Sequence, residues 1–303
     1  MTLARALGRG EVPVRWWWAL WSVYFVLGDL ERSREAARHA MEQSRSDPSS
    51  LCEAHHAMAG ALIAQGELDA ALQHFEAAIA ASSGNALQLS AFGSDLGVFA
   101  HAWSAHALWL LGETEAAIAR ADEAVALARR LGHVYSETLA LAYAGLTHQF
   151  QRDVAKVSDC AHAVVALSEQ YGFAYYRDWA DVLLGWVSGQ RGRPEEGVRL
   201  IESALAHLDA QRAQGRRSYY LSLLAETLVA AGRRDRAASV LDVAVATAVT
   251  GKDVWWLPEL LRLKSELEPQ PARERLLRQA LETARGQHSR SLEQRIVPAL
   301  TAI

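Results

Sequence analysis

One pattern recurs along this chain and limits what it can fold into: an apolar helix, a short turn that usually holds a glycine, then a second helix with an alanine-rich face. The turns read LGDL at 27–30, QGEL at 65–68, LGET at 111–114, FQRD at 150–153, RGRP at 191–194, AGRR at 231–234 and LEPQ at 267–270, a period of about 40 residues. Two columns of small residues keep register with these turns. Ala59, Ala105, Gly145, Gly185 and Ala225 precede them, and Ala40, Ala78, Ala124, Val164, Ala204, Ala244 and Ala280 follow. Antiparallel helices that cross about 8–10 Å apart cannot hold a large side chain on both partners, so small residues mark the crossings. Between them, large apolar residues recur at helical spacing, and no alternating β-branched run lies between paired turn signals.

The pattern predicts an all-α chain: seven helix pairs over residues 15–45, 49–83, 95–131, 133–171, 173–211, 215–250 and 253–287, and a capping helix over 289–302, forming one domain across 1–303. Each pair buries its apolar face only by stacking on its neighbours. The expected form is therefore a right-handed α-solenoid whose concave wall is made by the first helix of each pair.

Composition closes off several function classes. Half of the 303 residues are hydrophobic and 22% charged, which excludes disorder. A net charge of −4 offers no global excess of positive charge to hold a nucleic-acid backbone or an anionic membrane. Cys52 and Cys160 form no CxxC pair and read as reduced, buried thiols of a cytoplasmic protein. The apolar run Trp16–Leu27 would rise about 18 Å as a helix, against a bilayer core of about 30 Å, so it does not span. Trp16, Trp17, Trp18 and Trp21 occupy most of one helix circumference. That crowding predicts an apolar N-terminal surface at Trp16, Trp17 and Trp21, covered by residues 1–14, by a second copy of the chain or by another protein.

Signatures of chemistry are missing. No GxxxxGK[ST] loop occurs, and the glycine cluster Gly8-Arg9-Gly10 breaks the dinucleotide fingerprint. Ser188 in GWVSG is not a GxSxG elbow. HExxH is absent from a chain of eleven histidines, and neither His55 and His56 nor His101 and His106 share a helix face. No catalytic residue, metal site or cofactor is expected. A less favoured reading makes His106 or His56 a general base near Glu53 or Glu226. The arginines Arg212, Arg216, Arg217, Arg233, Arg234 and Arg236 read as a solvated basic edge, or more sharply as a dock for an acidic or phosphorylated partner.

The small-residue columns, the turn glycine and the helix-pair length resemble the tetratricopeptide (TPR) superfamily. The stretches LGVFAHAWSAHALWLLGETEAAIARADEAVALARRLGH (96–133), HQFQRD (148–153), YGFAYYRDWADVLLGWVSGQRGRPEEGVRLIESAL (171–205), WWLPELLRLKSELE (255–268) and LLRQALETARGQHSRSLEQR (276–295) are similar to one group more closely. That group is the C-terminal repeat region of large bacterial proteins in which a STAND-type ATPase is fused to a nucleotide cyclase or a DNA-binding domain. The resemblance covers roughly residues 20 to 297. It implies a sensor or docking role; the catalytic and DNA-binding roles do not transfer, because their modules are absent from this sequence. It also implies that relatives carry further repeats upstream, so that the chain is a standalone adaptor or a piece of a larger regulator.

Aligning the turn glycines with the TPR pattern puts Trp18, His56, Phe99, His106, Trp109 and Gln149 on the concave wall, to within about one residue. Trp179, Trp186, Tyr219, Glu226, Trp255 and Arg262 follow in the later repeats. Large aromatic rings carry apolar area with few torsions to freeze, and a histidine, glutamate or arginine among them fixes a ligand's polarity. The expected function is a non-catalytic protein- or peptide-binding module of a signalling system. The alternative is a small-molecule effector sensor using the same groove.

Overall fold

The turn glycines take the conformation that ends each first helix. Gly28, Gly66, Gly112, Gly192 and Gly232 all lie at φ between 75° and 94°, and Arg152 stands in the same role at φ 62°. In this left-handed turn the next amide reaches back to a carbonyl five residues earlier, as Asp29 N does to Tyr24 O (2.9 Å) and Glu113 N to Leu108 O (2.9 Å). The aspartates at 29 and 153 then accept from Arg32 N and Lys156 N, capping the following helices.

A computed structural model of the chain describes residues 12–45, 48–82 and 86–302. The helices pair as α1 (Val14–Val26) with α2 (Leu30–Ser44), α3 (Leu51–Ala64) with α4 (Leu68–Ala81), α5 (Leu96–Leu110) with α6 (Thr114–Arg130), and α7 (Val134–Phe150) with α8 (Val154–Tyr171). Next come α9 (Ala174–Gln190) with α10 (Pro194–Ala210), α11 (Arg217–Ala230) with α12 (Arg234–Gly251), and α13 (Leu257–Ser265) with α14 (Ala272–Gly286); α15 (Arg290–Thr301) is last. Pro48–Ser50 form a short 3-10 turn, and the extended stretch before α5 makes one antiparallel bridge between Leu89 and Asp95. The fold is all-α and solenoidal.

Helix crossings fall on the small-residue columns. Ala40, Ala59, Ala78, Ala105, Ala124, Ala244 and Ala280 are fully buried. The tightest crossing joins α9 to α10, where a Cβ on Gly185 would stand 2.7 Å from the Gly197 carbonyl oxygen. Between α1 and α5, Gly60 makes room for indoles: its absent Cβ would meet Trp21 at 2.4 Å and Trp103 at 2.8 Å.

The superhelix also closes on itself after about five repeats. A helix leaves its last carbonyls without partners in its own turn ladder, and here the next superhelical turn supplies donors. Val26 O ends α1 and accepts from Gln214 N (2.7 Å) and Gly215 N (3.1 Å). Ala64 O ends α3 and accepts from Val254 N (2.8 Å) and Trp255 N (3.2 Å). Leu110 O ends α5 and accepts from Ser289 Oγ (3.3 Å), while Phe150 O ends α7 and accepts from the Arg295 guanidinium. Gly28 and Gly112 lie at this seam, where a Cβ would come within 3.0 Å of Gln214 and Arg290, whereas Gly192 and Gly232 face open space.

Candidate functional site

Closure decides what becomes of the predicted wall. Of its twelve residues, Trp18, His56, His106, Trp109, Gln149, Trp179, Trp186, Tyr219 and Trp255 are buried. The structure holds them in a superhelical core instead of along an open groove, because the returning 211–216 and 254–256 segments pack against the ends of α1 and α3. His106, Trp109, Gln149, Tyr219 and Trp255 pack with Phe150 and Trp256 in the C-terminal half of that core, and Tyr219 donates its hydroxyl to Gln149 Oε1 (2.9 Å). Trp186 and Glu226 meet at its edge, where Arg152 pairs with Glu226 (2.5 Å) and stacks over the indole (5.1 Å). Arg262 pairs with Glu259 (2.8 Å) and Glu266. Burial alone would raise the Glu259 carboxyl, yet Arg262 and Arg295 hold it down at about 2.

Trp18, Phe99 and Trp179 line a cavity of about 390 Å³ in the N-terminal half. Its walls come from α1, α5, α7 and α9, the 92–94 stretch and the 211–216 loop. Trp103, Tyr143 and Trp179 form its inner end, and half-exposed Val23, Leu27 and Phe92 form its rim. His56 supports the wall from behind: Trp18 donates its indole N–H to His56 Nδ1 (3.2 Å), which leaves the ring neutral with its proton on Nε2. Burial pushes His56 and His106 down to about 3, and His106 Nε2 donates to the Tyr143 carbonyl (3.0 Å). Neither ring has a carboxylate within hydrogen-bonding distance among the described residues, so neither is placed as a general base.

The residue that sequence reasoning missed is Arg216. It does not belong to a solvated edge, as Arg212, Arg233, Arg234 and Arg236 do; it is 3% exposed at the cavity's inner end. Its guanidinium lies 4.7 Å from the Trp103 and Tyr143 ring centroids, 4.8 Å from Trp179 and 5.5 Å from Phe25, and it donates to the Tyr143 hydroxyl (2.8 Å). Burial opposes its charge, but the phenolic oxygens of Tyr143, Tyr220 and Tyr175 more than offset that, and it stays protonated. Its backbone is left-handed (φ 60°, ψ 17°), a conformation that costs a non-glycine residue about 1–3 kcal/mol and is found at binding sites. Trp103 and Tyr143, which also line the cavity, were not among the predicted wall residues.

The N-terminal tryptophans need a second correction. Trp17 is buried against His39 (ring centroids 4.4 Å) and Trp21 is a cavity wall, so neither is available for self-association; Trp16 alone is exposed, at 64%. The cover expected from residues 1–14 lies, for 1–11, outside the described residues. Cys52 is buried and Cys160 half-buried, and burial pushes both thiols up, to about 12 and about 11. No described helix is long and apolar enough to cross a membrane.

A structure of Rap protein complexed with Competence and Sporulation Factor superposes with a TM-score of 0.66 at 14% identity, covering 93% of this chain and 75% of that one. The fold is a tetratricopeptide-like α-solenoid. A signal transduction ATPase with numerous domains from Pyrococcus horikoshii, which has a tetratricopeptide repeat sensor, matches 90% of this solenoid over 41% of its own chain (TM-score 0.53, 12% identity). Aspartyl phosphate phosphatase F from Bacillus subtilis matches 95% of the solenoid and 92% of its own chain at a TM-score of 0.50 and 11% identity. In sequence, an uncharacterized protein of Rhizobium meliloti (strain 1021) is 23% identical over 193 residues, which are 62% of this chain and 19% of that protein's length. No protein-family profile matches.

Proposed function

We propose that the chain is a non-catalytic sensor module of a regulatory system, and that it receives a small molecule in the cavity over Arg216. The observation that carries this reading is the cavity itself. Its volume of about 390 Å³ falls within the range of small-ligand sites, and it is walled by aromatic rings around one buried cation. Closure supplies the response. The α1 wall and the 211–216 wall come together only because the superhelix returns on itself, so an occupant that touches both favours the closed form by its differential affinity. The test is a thermal-shift screen of the purified chain against a metabolite panel. A true ligand at one hundred times its dissociation constant adds about 2.7 kcal/mol. A Val23→Trp variant, which narrows the rim, abolishes that gain; a panel without any shift contradicts the reading.

A protein or peptide partner is the second reading, favoured by the Rap structure solved in complex with a factor. Such a partner enters the cavity by one side chain and lies across Val23, Leu27 and Phe92, which are 41%, 39% and 51% exposed. Leu27→Ser and Phe92→Ser then weaken a peptide strongly, whereas a small molecule held at the inner end keeps its affinity.

A further inference from the structure

We propose that the cavity selects an apolar molecule bearing one carboxylate, with Arg216 as the anion-binding residue; this rests on the cavity being the ligand site. A guanidinium has five N–H donors, and the contacts of Arg216 use one of them, to the Tyr143 hydroxyl. Aromatic faces stabilise the charge but accept no in-plane hydrogen bond. No carboxylate lies within ion-pair distance of Arg216 among the described residues. Asp253 is the acidic group across from it, on the far side of a void of about 10 Å³, which is room for one water. The other titratable groups around the guanidinium, His106, Tyr143, Tyr175 and Tyr220, are neutral. Trp21 lines the same cavity with its ring, while its indole N–H is buried without an acceptor. The cavity thus offers the remaining guanidinium donors, and a positive charge that among these groups only Asp253, beyond the void, faces.

The charge count chooses among anions. A planar guanidinium fork matches both carboxylate and phosphate oxygens. A phosphate monoester, however, carries about −1.5 to −2 at neutral pH, and one cation would leave much of that charge desolvated among rings. A carboxylate brings half that charge or little more, and its two oxygens match the guanidinium fork. The aromatic walls require the remainder of the molecule to be apolar.

The probes are 4-phenylbutyrate and its neutral counterpart 4-phenylbutan-1-ol, titrated calorimetrically into the full chain. Wild type should bind the carboxylate about tenfold tighter or more, as a charge-assisted hydrogen bond gives. Arg216→Gln should remove that preference while the alcohol binds as before, and Val23→Trp should weaken both probes. Should Arg216→Gln fail to fold, Arg216→Lys keeps the charge but loses the fork, and the preference should fall. Equal wild-type affinity for the two probes overturns the carboxylate inference and leaves the cavity reading standing. Carboxylate binding that survives both Arg216→Gln and Val23→Trp places the anion elsewhere and overturns it. Binding of neither probe at millimolar concentration contradicts the inference and the cavity reading together.

Discussion

Asp253 shows how closure changes a single residue. Burial lifts its carboxyl from 3.8 to about 6, against the pull of Arg216. The folded chain therefore keeps a proton that the unfolded chain has released. Its contribution to stability is complete below about pH 3.8 and is lost as pH rises through about 6. The displacement corresponds to at most about 3 kcal/mol. Buried His56 and His106 act the other way, because their lowered pKa values make stability fall as pH drops below 6.5. The difference between wild type and Asp253→Asn isolates the aspartate: in urea melts, the variant should gain relative to wild type between pH 4 and pH 7, and a difference independent of pH would refute the assignment. Trp21 is a second case at this scale. It is a buried wall ring, so Trp21→Ala should cost about 3–5 kcal/mol in chemical denaturation, where a residue of an exposed self-association face would cost little.

Among the helices, the turn glycines divide into two classes that the sequence does not distinguish. Gly28, Gly112 and Gly232 occupy the same repeat position with similar backbone angles. Gly232→Ala should cost only the left-handed penalty of about 1–2 kcal/mol. Gly28→Ala and Gly112→Ala should cost about 1–3 kcal/mol more, because their methyl groups press on Gln214 and Arg290 at the seam. Equal costs in urea titrations would mean the seam is open in solution. The same contrast explains what was legible. Helix pairs, turns and crossings are local matters of period, capping and side-chain size, and LGDL or AGRR states them outright. Arg216 lies in a connection between pairs, within the run QRAQGRR, and nothing local separates it from its solvated neighbour Arg212. Its burial depends on α1, about 190 residues earlier in the chain, coming back into contact.

At the scale of the whole molecule, about five repeats complete a superhelical turn, and that number converts a wall of rings into a core with a substantial aromatic cavity. Aligning the turn glycines with the TPR pattern turned Trp18, Phe99 and Trp179 inward, but whether inward meant groove or core depended on pitch, which no repeat encodes by itself. A wider superhelix with the same sequence columns would leave Tyr219 and Trp255 open to solvent. Closure is thus the central claim, and hydrogen exchange at the seam tests it most directly. The amides of Gln214, Gly215, Val254 and Trp255 lie in connections yet donate to Val26 and Ala64 across the superhelical turn. They should exchange as slowly as the buried helix amides around Trp103 and Tyr143, and Arg216→Gln should speed those of Gln214 and Gly215. Exchange at the rate of a solvent-exposed turn in the wild-type chain would contradict closure, and with it the cavity.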